Sequence, residues 1–229
     1  MIVISQFISE KYARKLSRVF LLPSIFDFRK SNKANSLASA ESRSFSIVYA
    51  GSCKPNDGFG HVLDAVDSIV SRIPAIRLEV LGTDGIHGFA RQYRDRCMKS
   101  TTLCKVVHFN GFLSEEEYST KLYSASCLLV PRPDTEEVRA AFPTRIPEFL
   151  STGNALITSA VPDANLYLQD RVDAYLYDAN DSNSLANTLV EIFENAGARS
   201  EVGLAGKLKA QRCFCFVANT KKLLSYLNQ

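Results

Sequence analysis

The chain has little of what marks a membrane, metal or nucleic-acid protein. None of its apolar runs approaches the length that crosses a bilayer, which takes about 20 consecutive apolar residues. Its first residues lack the basic stretch, apolar stretch and small-residue cleavage site of a secretory leader, so the expectation is a cytoplasmic protein. Six cysteines, at positions 53, 97, 104, 127, 213 and 215, form no Cys-x-x-Cys pair and have no histidine at metal-ligand spacing. Neither a zinc site nor a disulfide framework is expected, and no metal is assigned. Of three histidines, His108 lies in an apolar run and reads as a core residue, while His61 and His87 read as helix or loop surface without a carboxylate or serine beside them. A formal charge of +3 is too small to argue for nucleic acid. Its excess is concentrated in Lys11, Arg14, Lys15, Arg18, Arg29, Lys30 and Lys33, a solvated surface or a region suited to peripheral contact with an anionic membrane face or an acidic partner. No internal repeat is present.

What the chain has is a regular alternation. With 229 residues, 46% of them hydrophobic, it is long enough for one large α/β domain, or a domain with an appendage. Apolar runs near 46–51, 76–82, 105–110, 126–130, 154–158 and 174–177 read as buried strands separated by amphipathic helical stretches. That pattern predicts an α/β fold, a doubly wound Rossmann-like parallel sheet with helices on both faces. Ligands in such sheets bind beyond the carboxyl ends of the strands, so the segments 51–60, 82–88, 110–112 and 131–144 should converge. Residues 31–44 are small and polar and read as a linker or exposed loop. Glu115, Glu116 and Glu117 read as the first turn of a helix, and Glu136 and Glu137 as loop residues.

The most informative stretch runs from Ala141 to Gly153, Ala-Phe-Pro-Thr-Arg-Ile-Pro-Glu-Phe-Leu-Ser-Thr-Gly. Pro143 suits the residue before a first helical turn, and Thr144 can cap it or bind an oxygen. Bare backbone N–H groups and the positive helix end favour an anion. Arg145 adds a planar donor fork for phosphate oxygens. Glu148, about one turn on, can accept from vicinal hydroxyls. Gly153 stops the helix before the strand that begins at Ala155. A diphosphate and a ribose could sit there together, or the stretch could be an ordinary capped helix whose charges face water.

Phe142-Pro-Thr-Arg, two residues, Glu148-Phe-Leu, then Ser151-Thr-Gly resembles a segment of the C-terminal, donor-binding half of GT-B glycosyltransferases of the family 4 type, where many bacterial members read Phe-Pro-Thr-Lys, two residues, Glu-Tyr-Leu, a small residue, Thr-Gly. Ser46 to Gly51, Arg77 to Gly82, Val106 to Gly111 and Ser126 to Arg132 are similar to the first four strands of that half, in the same order. The resemblance implies a donor-binding domain over 46–229, including a C-terminal helix that crosses back. Residues 1–45 would be a remnant of the acceptor domain, with a crossover and a linker. It implies transfer of a sugar from a nucleotide diphosphate sugar of UDP or GDP type, as substrate and with no cofactor, to a hydroxyl acceptor. Transfer would be retaining and metal-independent, in the setting of polysaccharide assembly.

Arg145 and Glu148 would be catalytic. Gly51, Ser52, Lys54, Gly82, Asn110, Gly111, Phe112, Arg132, Phe142, Pro143 and Thr144 would join them in binding the donor. The chain would then be incomplete alone: a fragment, a subunit whose acceptor half a separate polypeptide supplies, or a decayed relative. The alternative is a non-catalytic binding or regulatory subunit that keeps the fold. Departures from the family pattern bear on that choice. Ala140 stands where many members have a glutamate, and Ser52 and Asp57 stand where the family usually has an arginine and a lysine for the diphosphate. An aspartate facing a diphosphate repels it by about a kcal/mol or more.

Overall fold

The computed structural model describes residues 1–29, 44–86 and 88–228. The expected linker at 31–44, apart from Ser44, and His87 lie outside the described residues. In chain order the elements are β1 (Ile2–Val3), α1 (Gln6–Ala13), β2 (Phe20–Leu21), β3 (Phe45–Ala50), α2 (Phe59–Ile69), β4 (Ile76–Leu81), α3 (Ala90–Lys99), α4 (Leu103–Val106), β5 (Val107–Phe109), α5 (Glu115–Tyr123), β6 (Cys127–Val130), α6 (Glu136–Arg139), α7 (Arg145–Thr152), β7 (Ala155–Ser159), α8 (Pro162–Tyr167), β8 (Tyr175–Tyr177), α9 (Ser182–Glu194), α10 (Ala196–Phe214) and α11 (Phe216–Leu227).

Six strands form one parallel sheet in the order β5-β4-β3-β6-β7-β8. The chain builds outward from β3 through β4 to β5, then returns to lay β6 on the other side of β3. This reversal leaves a crevice at the carboxyl ends of β3 and β6, where adjacent connections leave toward opposite faces.

Strand periodicity explains why both faces are covered. In β3, Ile47 and Tyr49 enter one apolar layer with Val62, Leu63 and Val66 of α2 and Leu185, Leu189 and Ile192 of α9. Val48 and Ala50 enter the other with Ile146, Phe149 and Leu150 of α7 and Phe214 of α10. Side chains alternate along a strand, so a run apolar at every position requires a helical layer on each side. Helix α7 stops at Gly153, whose φ of 85° is left-handed. Helix α10 crosses directly over that stop: a Cβ at Gly203 would lie 2.3 Å from the Gly153 carbonyl oxygen.

The six strands and the parallel, doubly wound fold match the expectation, with local differences. The run at 105–110 begins as the short helix α4, because Ser100 Oγ accepts from the N–H groups of Thr102 and Leu103 at 3.3 and 3.1 Å and turns the chain. Glu136 and Glu137 lie in helix α6 rather than a loop; Thr135 caps it by accepting from Val138 N–H at 3.3 Å, and acidic residues suit its first turn.

The N-terminal residues form a small βαβ unit in which β1 and β2 pair in parallel. Helix α11 lies against it, stacking Tyr226 on Phe20 at 4.9 Å between ring centroids. Arg18 donates to the Tyr226 carbonyl, and its guanidinium sits 4.5 Å from that ring's centroid. Beneath, Phe26 N–H donates to Phe214 O at 2.8 Å and Phe216 N–H donates to Phe26 O at 3.2 Å. Among the described residues, no helix is long and apolar enough to cross a membrane.

Candidate functional site

Two cavities meet at the switch point. One, of about 230 Å³, lies between the ends of β3 and β6 and is lined by Gly51, Ser52, Lys54, Asp57, Pro131, Arg132, Pro143, Thr144 and Arg145 among others. The other, of about 420 Å³, lies between the ends of β3 and β4 and is lined by Gly51, Ser52, Gly82, Phe112, Leu113, Tyr118 and Arg145 among others. Ala50, Gly51, Ser52 and Arg145 line both. Two larger hollows lie elsewhere. One of about 530 Å³ opens at the amino ends of β4 and β5 near Arg77, Lys105 and His108, and an apolar groove of about 760 Å³ runs along β1 and the segment after β2. Ligands of an open parallel sheet bind at the carboxyl edge, so topology rather than volume selects the first two.

Helix α7 points its N-terminus at the wall common to both cavities. Ile146 N–H is already bonded to Pro143 O at 3.1 Å and Pro147 has none, which leaves Thr144 and Arg145 as its opening donors. Thr144 makes no side-chain cap bond, so the cap that its position suggests is absent and its hydroxyl faces the cavity. Arg145 Nη1 donates to Glu148 Oε2 at 2.9 Å and to Tyr118 Oη at 2.5 Å. Burial works against the Arg145 charge, but Tyr118 and Glu148 more than offset it and raise its proton affinity. The Tyr118 phenol is pushed up by burial first and by Glu148 next, while Arg145 pulls it down.

The loop after β3 is held by a polar ring. Asp57 Oδ2 accepts from Tyr49 Oη at 3.1 Å and from Lys54 N–H at 2.8 Å, while Tyr49 Oη accepts from Cys53 N–H at 3.2 Å. Burial, with Cys53 and Asp57 adding to it, raises the Tyr49 phenol well above its ordinary range. The ring bends Pro55–Asp57 into a single 3-10 turn that ends at Gly58, the start of α2.

Most sequence-predicted residues come together here: Gly51, Ser52, Lys54, Gly82, Phe112, Arg132, Pro143, Thr144 and Arg145 all line one or both cavities, and Glu148 is bonded to Arg145 at their junction. Four predicted residues line neither cavity: Glu148, which meets the site only through Arg145, and Phe142, Asn110 and Gly111. Phe142 is buried among Tyr167 and Phe214, with ring centroids 5.5 Å away from each, because the apolar layer under α7 claims it. Asn110 turns its amide to Glu79 Oε2 at 2.8 Å and the His108 carbonyl at 3.0 Å. Gly111 uses its backbone to tie the ends of β4 and β5, exchanging bonds with Thr83 and Gly82 at 3.0 and 2.9 Å. Tyr118 escaped sequence reasoning because helix α5 sits far from α7 in the chain; the acidic run Glu115 to Glu117 located the start of the helix but not the face it presents. Among the described residues no group of three or more His, Cys, Asp or Glu side chains has the grouping that a metal ion needs.

A doubly wound sheet with paired cavities at its switch point is the open α/β architecture whose ligands bind at the carboxyl edge of the strands. Residues 44–195 match the family model described as Glycosyl transferases group 1, more than half of the chain, and the chain belongs to that family. No curated protein matches it. A sucrose-phosphate synthase from Thermosynechococcus elongatus superposes with a TM-score of 0.81 at 20% identity, covering 100% of this chain and 57% of that one. HepE from Anabaena in complex with UDP and glucose gives 0.80 at 15% identity, covering 99% and 62%. The pneumococcal O-GlcNAc transferase GtfA in complex with UDP and GlcNAc gives 0.73 at 14%, covering 100% and 45%. The fold shared with them is that of GT-B glycosyltransferases, and this chain spans less than two thirds of the length of each.

Proposed function

We propose that this chain is the C-terminal, donor-binding half of a family 4 type glycosyltransferase. It moves a sugar from a UDP- or GDP-type nucleotide sugar to a hydroxyl acceptor, with retention and without a metal, residues 46–229 forming the donor domain and 1–45 the remnant and linker. The observation that carries the proposal is the Arg145–Glu148 pair at the N-terminus of α7, where the two cavities meet. The smaller cavity, with Lys54, Arg132 and the helix donors, suits a diphosphate. The larger, between Gly82, Phe112, Leu113 and Tyr118, suits the flat body of a nucleoside. Arg145 stabilises the departing diphosphate as charge builds on it, and Glu148 accepts from the ribose hydroxyls. Acceptor binding falls to the further length that the superposed relatives have. Peripheral contact with an anionic membrane face belongs to the N-terminal cations.

The test is calorimetric titration of the purified chain with UDP and GDP, repeated on Arg145→Ala and Glu148→Ala. Saturable binding lost in both variants is expected. Absence of binding at millimolar nucleotide sinks the proposal in favour of a second reading, a non-catalytic binding subunit, which Asp57 and Ser52 in the diphosphate cavity favour.

A further inference from the structure

The smaller cavity holds three cations, Lys54, Arg132 and Arg145, and one carboxylate, Asp57. Arg145 is engaged by Glu148 and Tyr118. Arg132 is differently placed. Its backbone N–H donates to Ser159 Oγ at 2.8 Å, and Ser159 Oγ donates to Tyr177 Oη at 3.1 Å, which ties the residue to the ends of β7 and β8. Its Nε is buried without a hydrogen-bond partner, the one side-chain nitrogen or oxygen in that condition among the described residues. An unpaired buried donor on a charged group is costly, and native structures retain such groups where a ligand completes them. Burial lowers the proton affinity of Arg132, and Asp57, followed by Tyr49, partly restores it. Asp57 is itself fixed by Tyr49 and Lys54.

We infer that Arg132 is the ligand for the distal phosphoryl group of a diphosphate in this cavity, and that Asp57, which lines the same cavity, is a resident negative charge that weakens the incoming anion. The nucleotide reading above supplies the identity of the whole ligand; the anion site stands on Arg132 and Asp57. The two residues therefore act with opposite sign. Removing the guanidinium takes away attraction, whereas removing the Asp57 charge takes away a repulsion of the phosphate.

Calorimetry on the full chain separates these effects, with sodium pyrophosphate, UDP and UMP as probes and a thermal melt of each variant as the check on folding. Arg132→Gln is expected to weaken pyrophosphate and UDP roughly tenfold or more. UMP, which lacks the distal group, should change less than about twofold, and Arg132→Lys should recover part of the loss. Asp57→Asn keeps an acceptor for Tyr49 and Lys54 and should strengthen pyrophosphate about fivefold. Unchanged pyrophosphate affinity in Arg132→Gln, an equal loss for UMP, or weaker pyrophosphate binding in Asp57→Asn overturns the inference, as does a wild-type chain that ignores millimolar pyrophosphate. A wild-type chain that binds pyrophosphate through Arg132 but ignores UDP retains the inference and removes the nucleotide reading.

Discussion

Replacing Glu148 with glutamine should split the response to the two parts of the proposed ligand. In the empty site Arg145 Nη1 is 2.9 Å from Glu148 Oε2, with side-chain exposures of 43% and 26%. Solvent screens a pair this exposed, and its net worth is no more than about 1 kcal/mol. Glutamine removes the charge without emptying the space, so the guanidinium turns more readily to phosphate. Pyrophosphate should bind tighter by up to about fivefold, the equivalent of that 1 kcal/mol. The nucleoside arm moves the other way. Ribose hydroxyls donating to a carboxylate form charge-assisted bonds worth about 1.5–3 kcal/mol, and a neutral amide with one acceptor oxygen keeps about half of that. Relative to pyrophosphate on the same variant, UDP should therefore lose about 0.75–1.5 kcal/mol, a factor of roughly three to twelve.

The assay is calorimetric titration of both ligands on wild type and variant at matched ionic strength, because salt screens the phosphate contribution. A melt controls for the fold. Losing an acidic residue from the first turn of α7 costs about 0.3–1 kcal/mol, or about 1–4 °C in a chain of this size. A ratio of UDP to pyrophosphate affinity that the substitution leaves unchanged would refute the division of labour between Arg145 and Glu148.

Two glycines of the same helix should respond oppositely to alanine. At Gly203 the new Cβ meets the Gly153 carbonyl at 2.3 Å and backbone atoms of Asn154 and Ala155 at 2.8 and 2.9 Å, so overpacking of about 1–3 kcal/mol exceeds the gain in helix propensity and Tm falls. At Gly197 nothing lies within 4 Å, and the same change should raise Tm by about 1–2 °C; a shift of the same sign at both positions would contradict the packing of α10 on α7. The second prediction concerns acid. Burial opposes the charge on Glu79, yet the bonds from Asn110 at 2.8 Å and Lys121 at 3.0 Å outweigh it and hold the carboxyl below its ordinary range. A depressed folded pKa means that this stabilisation is present above the unfolded value, about 4.3, and is lost as pH falls through the folded one. Urea midpoints between about pH 6 and 3 should therefore fall less steeply in Glu79→Gln than in wild type, and parallel curves would rule the pairing out.

The sheet was legible because every strand buried on both faces is apolar at nearly every position, a signal that needs no knowledge of neighbours. Strand order was not read from those runs, but the crevice was, since parallel crossovers send ligand-binding loops to one edge. Arg145 could be located from its place at a helix start, whereas its bond to Tyr118 depends on the angle at which α5 meets α7. Phe142 shows the limit of motif reasoning: it belongs to the same short segment as Thr144, yet the apolar layer under α7 draws its ring inward. Asn110 was misplaced for a similar reason, because the buried carboxylate of Glu79 on the neighbouring strand demands a donor. Asp57 was legible as a charge facing a phosphate site, but its bonds to Tyr49 and Lys54 follow from the turn that it closes. The small βαβ unit was read only as a strand and a crossover, since two-residue strands leave almost no periodicity to detect.

Where the chain passes Phe26 and again where it passes Cys215, the two passages lie side by side and exchange backbone hydrogen bonds. The unit formed by β1, α1, β2 and α11 is thus fastened where α10 passes into α11, and again where Gln6 N–H at the start of α1 donates to Asp163 Oδ1 of α8 at 2.8 Å. A panel pinned at two separate places resists the rotation that a single pin would allow.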